Sequence, residues 1–178
     1  MGLALDPSET YAYVVENEPG NLKQVNITSG QVVTIAIGLH YPHDAVLSLD
    51  GPHVYVTLDS GALVSVTIAT GQVYTVTDEL FRPAGMALSP DGIYAFVAEP
   101  GLDQQLKRVD LTTGVMTGFD VGGRAHAVAL DATGSKAYLG YYNSNLRMGD
   151  VATGQTEREA GMPFRTTDIV INATNTKA

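Results

Sequence analysis

The chain has 178 residues, 19 acidic against 10 basic side chains, a formal charge of −9, and neither cysteine nor tryptophan. That length suits one domain with a sizeable core. The missing cysteines exclude disulfides and thiolate metal sites, and an acidic chain without a Lys/Arg cluster argues against nucleic acid or an anionic membrane surface as partner. No apolar run approaches the roughly 18 residues of a membrane span. The patterned sequence directly after Met1 predicts no signal peptide.

In chain order, four segments align with one another. Leu5-Asp6-Pro7-Ser8 runs into Tyr13-Val14, Leu47-Ser48-Leu49-Asp50 into Tyr55-Val56, Leu88-Ser89-Pro90-Asp91 into Phe96-Val97, and Leu130-Asp131-Ala132-Thr133 into Tyr138-Leu139. The matched aromatics are spaced 42, 41 and 42 residues apart. A second landmark keeps step with the first. Thr28-Ser29-Gly30, Ala69-Thr70-Gly71, Thr112-Thr113-Gly114 and Ala152-Thr153-Gly154 recur, with each glycine four residues after Asn26, Thr67, Asp110 or Asp150. Such side chains cap a turn, and the glycine takes the positive φ that closes a hairpin.

Between these landmarks the apolar pattern is short and has period two. In the third repeat the runs are Met86-Ala87-Leu88, Ile93 to Ala98, Leu106 to Leu111, and Val115 to Phe119. No stretch keeps a helical stripe. Each repeat therefore predicts four strands, here a, b, c and d. Four-stranded repeats of about 40 residues indicate an all-β chain, a β-propeller with one blade per repeat. The expected blades span 2–37, 44–78, 85–120 and 126–160 within one domain. Strand a would line the central channel and strand d the rim, with blades packing face to face.

The run Pro83-Ala84-Gly85-Met86-Ala87-Leu88-Ser89-Pro90-Asp91-Gly92, continued by Tyr94-Ala95-Phe96-Val97, resembles the YVTN-type propeller repeat. So do Tyr55-Val56-Thr57 and Val109-Asp110-Leu111-Thr112-Thr113-Gly114, and the NHL repeat has a similar pattern. The nearest matches to a Tyr-Val-Thr-Asn tetrapeptide are Tyr13-Val14-Val15-Glu16, Tyr55-Val56-Thr57-Leu58 and Phe96-Val97-Ala98-Glu99. The resemblance implies a propeller, and by family analogy an extracellular or periplasmic location.

Ile171-Asn172-Ala173-Thr174-Asn175-Thr176-Lys177-Ala178 matches the 130–137 segment position by position at an offset of 41. A partial fifth repeat, 168–178, is therefore expected, with a surplus inner strand near Asp168 to Asn172. Three arrangements are open: a fragment of a propeller of six to eight blades, a four-bladed ring with a tail, or a homodimer whose two chains complete one ring.

In a propeller the d–a and b–c connections emerge at one face, where ligands bind. His43, Ala84, His126 and Thr167 are equivalent positions leading into strand a, followed by Asp44, Gly85, Ala127 and Asp168. Glu16, Leu58, Glu99 and Tyr141 end strand b. The b–c connections add Asp59, Asp103, Tyr142 and Asn143, and Arg82, Arg124 and Arg165 stand just before strand a. His43, His126, Glu16 and Glu99 form a candidate catalytic or metal-ligating set, since imidazole and carboxylate suit a divalent ion or an acid–base pair. The glutamate after strand b resembles streptogramin-lyase propellers, which implies a magnesium- or calcium-type cofactor. That family's Trp-rich strand b has no counterpart here. The alternative takes the same residues as repeat-consensus structure, each His bonding the next blade's loop and each Glu pairing with a recurring Arg. Asn26-Ile27-Thr28 has the form of a glycosylation sequon, but its place in the turn series explains it. No Gly-x-Ser-x-Gly run marks a serine hydrolase.

Two functions follow. One is a non-catalytic binding or scaffold module presenting its loop face to a protein, peptide or glycan, with no cofactor. The other is a metal-dependent lyase or lactonase. On neither is nucleic acid or membrane a partner.

Overall fold

The computed structural model describes residues 2–101, 105–142, 145–162 and 168–171, with backbone alone at 156–158. Every regular element among them is a strand. They form four antiparallel meanders. The first contains β1 (Leu3–Leu5), β2 (Tyr11–Glu16), β3 (Asn21–Asn26) and β4 (Val32–Ala36). The second contains β5 (Pro42–Leu47), β6 (His53–Leu58), β7 (Leu63–Thr67) and β8 (Val73–Thr77). The third contains β9 (Met86–Leu88), β10 (Tyr94–Glu99), β11 (Gln105–Asp110) and β12 (Met116–Asp120). The fourth contains β13 (Ala125–Leu130), β14 (Lys136–Tyr141), β15 (Asn145–Asp150) and β16 (Thr156–Gly161). Each sheet is one repeat of the sequence. The surplus inner strand is not formed over 168–171, and the rest of it lies outside the described residues. An inner strand takes its ladder partner from its own strand b, and among the described residues no strand pairs with 168–171.

The chain divides into two compact units, 1–83 and 84–178, each holding two sheets. In the first, one face of β2 contributes Tyr13 and Val15, which pack with Leu22 against Val54, Val56 and Val66 of the second sheet. In the second, Phe96, Ala98 and Leu106 pack against Ala137, Leu139 and Tyr141. The repeat aromatics Tyr13 and Phe96 therefore lie on the face their blade turns to the next one. Period-two alternation places them there, because slipping by one residue would turn each strand's apolar set outward. Close approach between inner strands is set by glycine. A Cβ on Gly85 would lie 2.9 Å from the His126 carbonyl, to which the Gly85 amide donates at 2.9 Å.

The c–d turns use the predicted caps. Asn26 Oδ1 accepts the Thr28 and Ser29 amides, Asp110 Oδ1 those of Thr112 and Thr113, and Asp150 Oδ1 those of Ala152 and Thr153. The Thr113 and Thr153 amides are the leading causes that hold the Asp110 and Asp150 carboxyls below their ordinary range. A depressed carboxylate adds stability that is complete above its unfolded-state pKa. That stability is lost as pH falls through the lower folded-state value. Asn26 makes the same bonds without titrating. The double variant Asp110→Asn/Asp150→Asn should therefore show a shallower fall in urea midpoint between neutral pH and about pH 3 than the parent protein. Equal falls would remove these turns from the acid response.

Candidate functional site

The b–c and d–a connections lie together because their backbones are stitched. The Leu39 amide donates to the Gly20 carbonyl at 2.8 Å, and Leu80 does the same to Gly61 at 3.0 Å. Both glycines have positive φ, +79° and +93°, and an added Cβ would come within 2.1 Å of the Leu39 oxygen or 2.3 Å of the Leu80 oxygen. One step on, the Asp59 amide donates to the Tyr41 carbonyl and the Tyr142 amide to that of Arg124. Tyr41 and Arg82 occupy equivalent corners, with φ of 47° and 50°.

His43 and His126 each make a contact within their own blade. His43 Nε2 lies 3.3 Å from Asp59 Oδ1. His126 stacks on Tyr142, with ring centroids 4.5 Å apart and a tilt of 47°. Asp59 and Tyr142 are equivalent positions in the repeat, so both contacts join the lead into strand a to the first residue after strand b. Asp44 accepts the Ala45 amide at 2.9 Å, and its own amide donates to Thr57 Oγ1. Arg124 Nε donates to the Pro100 carbonyl at 2.9 Å. Arg165, Asp103 and Asn143 lie outside the described residues.

The strand-b glutamates Glu16 and Glu99 each lie beside a lysine of strand c. Lys23 Nζ lies 2.6 Å from Glu16 Oε1, and Asn21 donates to the other oxygen at 3.3 Å. The Lys23 hydrogen bond is the main cause of a Glu16 carboxyl held below its ordinary range. Lys107 Nζ lies 3.9 Å from Glu99 Oε2, and Glu99 is only 1% exposed. The geometry is a diagonal across the ladder. Lys23 faces Val14 and Lys107 faces Val97, each two residues before the glutamate.

The same diagonal carries Leu58 with Val64 in the second sheet and Tyr141 with Arg147 in the fourth. There the Arg147 guanidinium sits 4.7 Å over the Tyr141 ring. The four pairs thus vary together: ionic, apolar, ionic, cation–π. That pattern was available in the sequence once strand pairing was assumed. Tyr141 itself turns inward. Burial raises its phenol pKa above the ordinary value, and its hydroxyl donates to the Val121 carbonyl at 2.7 Å.

Other residues stand open at the connections. Tyr41 and Phe81 in the first unit are 51% and 47% exposed, and Tyr142 in the second is 39% exposed. Arg82, next to Phe81, is exposed as well. Tyr41 and Phe81 were not singled out from the sequence. The available signal was a large aromatic residue in a predicted loop, where polar turn residues are the norm. Among the described residues no group of three or more His, Cys, Asp or Glu side chains is placed to share a metal ion. An apolar cavity of about 10 Å³, beside Phe119, Leu139 and Gly149, is too small for an organic ligand.

No protein-family model matches the chain, and no curated protein is significantly similar to it. Among solved structures, a chain in a crystal structure of a nidogen/laminin complex superposes on 94% of this chain with a TM-score of 0.83, at 14% sequence identity. This chain spans 66% of the length of that one. The likeness shows the fold: the four meanders are blades of a β-propeller.

Proposed function

We propose that the chain is a non-catalytic binding module whose d–a and b–c connections receive a protein partner. The observation that carries this reading is the exposure, in the first unit, of Tyr41 and Phe81 on those connections, with Arg82 beside Phe81 in sequence; the second unit, taken by itself, shows Tyr142 exposed and in register with Arg124. Tyr, Phe and Arg are the residue types enriched where protein interfaces are buried, and a few such anchors carry most of the binding energy. Backbone stitching holds the anchors in place, which lowers the ordering cost of binding. The solved neighbour, a propeller-like chain from a protein–protein complex, supports the same class of partner. Peptides and glycans are the other ligands such a face would suit. A lyase reading requires Glu16 and Glu99 to leave Lys23 and Lys107 for a cation, and no observation favours that.

The test compares the protein with Tyr41→Ala/Phe81→Ala and with Tyr142→Ala, immobilised and exposed to extract from its native source and to peptide and glycan arrays. A protein partner should be retained specifically by the parent chain and bind the variants at least about tenfold more weakly. Circular dichroism should show the variants folded. Equal retention by folded variants, or glycan binding alone, would overturn the reading.

A further inference from the structure

The blade faces that pack inside each unit recur on two other surfaces, where several of their apolar residues are exposed. In the second sheet, Ala45, Leu47 and Val56 face the first sheet and are buried, and Ile68 packs against them. Their repeat equivalents in the first sheet are Leu3, Leu5, Val14 and Ile27, which occupy its opposite face. There Leu3 is 58%, Leu5 51% and Ile27 50% exposed. The equivalent face of the fourth sheet uses Val128 and Leu139, both buried against the third. The sequence of the first sheet is thus written for a covered face. Alternation alone would place polar residues there if it met water.

The polar end of this face tells what would cover it. In the fourth sheet, Arg147 Nη1 donates to the Val121 and Gly122 carbonyls of the preceding d–a connection, at 3.0 and 2.9 Å. Lys23 holds the corresponding position in the first sheet. Its side chain is partly exposed, and Glu16 neutralises it. The complementary surface also exists in this chain. Leu22 and Leu106 are the buried anchors with which the first and third blades receive their successors. Their equivalent Leu146 is half-exposed, and Met162, equivalent to the buried Leu39 and Leu80, is exposed.

We infer that the outer face of β1–β4 is a docking site for a second copy of this chain, which presents the outer face of its β13–β16. The contact is head-to-tail, blade on blade, and repeats the packing already used twice within the molecule. Self-complementarity argues for a second copy over an unrelated partner. The Leu3/Leu5 half and the Leu146 half are both encoded in the same polypeptide, and each matches a face whose bound form is visible. The Glu16–Lys23 pair leaves the face locally neutral, so association needs no charged partner. Exposed edge-to-face apolar surface of this kind is otherwise an aggregation hazard.

Sedimentation velocity over a concentration series tests this. The protein should associate, and Leu3→Glu/Leu5→Glu and Leu146→Glu should each weaken self-association by roughly tenfold or more. The two variants spoil opposite halves of one contact. When mixed, they should form a heterodimer that does not grow further, while each alone stays monomeric. The mixing step distinguishes a lost interface from a lost fold, since a misfolded variant cannot rescue its partner. A monomer throughout the concentration series, or folded variants that fail to pair, would overturn the inference and leave the face to further repeats in the same polypeptide.

Discussion

Gly61→Ala is expected to cost several kcal/mol and lower the melting temperature by roughly 10 °C. Two effects combine at this glycine. Its φ of +93° lies where a Cβ is strained, at about 1–2 kcal/mol. The added carbon would also meet the Leu80 carbonyl oxygen at 2.3 Å. That oxygen belongs to a backbone segment tied down by the Leu80–Gly61 hydrogen bond, so it cannot swing aside as a flexible side chain would. Forced overpacking of that kind adds about 1–3 kcal/mol. Gly51 supplies the control. Its φ is +92°, but nothing lies within 4 Å of its Cβ position, so Gly51→Ala should show the strain component alone. Thermal and urea unfolding of both variants measure the difference. Equal losses would mean that the b–c and d–a connections can separate freely. The functional consequence is direct, because these connections carry Tyr41 and Phe81.

The second large effect concerns Glu99 and Lys107. Lys107→Val removes the ammonium 3.9 Å from a carboxylate that is 1% exposed. Breaking a buried pair from one side costs about 3–5 kcal/mol, because the charge that remains is less well neutralised in a poorly solvated place. The double variant Glu99→Leu/Lys107→Val writes the Leu58–Val64 pair of the second sheet into the third. It should fall within about 1 kcal/mol of the parent protein, since well-packed apolar replacements of a buried ion pair are often neutral or better. The double-mutant cycle, read by urea unfolding, should therefore give a strong favourable coupling. Additive losses would show that Glu99 answers to other partners more than to Lys107. A glutamate whose removal together with its lysine leaves the fold intact is serving structure. If substrate turnover were ever found, this cycle would separate that role from catalysis.

Much of the fold was legible because its determinants are local. Tyr13, Tyr55, Phe96 and Tyr138 recur at a constant interval, and period-two alternation around them defines which face each strand turns inward. Asn26, Asp110 and Asp150 cap their own turns within three residues. Gly30, Gly71, Gly114 and Gly154 take positive φ as the turn chemistry requires. None of this depends on what lies across the molecule, so four sheets could be drawn from residue types and spacing.

The candidate site was legible only in outline. Positions at the connection face followed from the repeat, but the partners did not. Glu16 and Glu99 hold the same place in the motif, yet one is half-exposed and the other buried, because burial depends on what covers a face. Tyr141 and Tyr142 are neighbours in the chain, and alternation sends one inward to the Val121 carbonyl and the other outward to His126. The match between the 171–178 and 130–137 segments predicted a strand over 168–172; 168–171 take no ladder among the described residues, since a strand, unlike a turn, depends on a hydrogen-bonding neighbour that local likeness does not specify. What the amino-acid order determined was the module, its four strands and its turns, since these rest on interactions between residues near one another in the chain. What only the tertiary structure decided was which polar groups lie against each other, which aromatic side chains stay exposed, and which apolar residues meet solvent. Those outcomes are set by solvent access and by contacts between residues far apart along the chain.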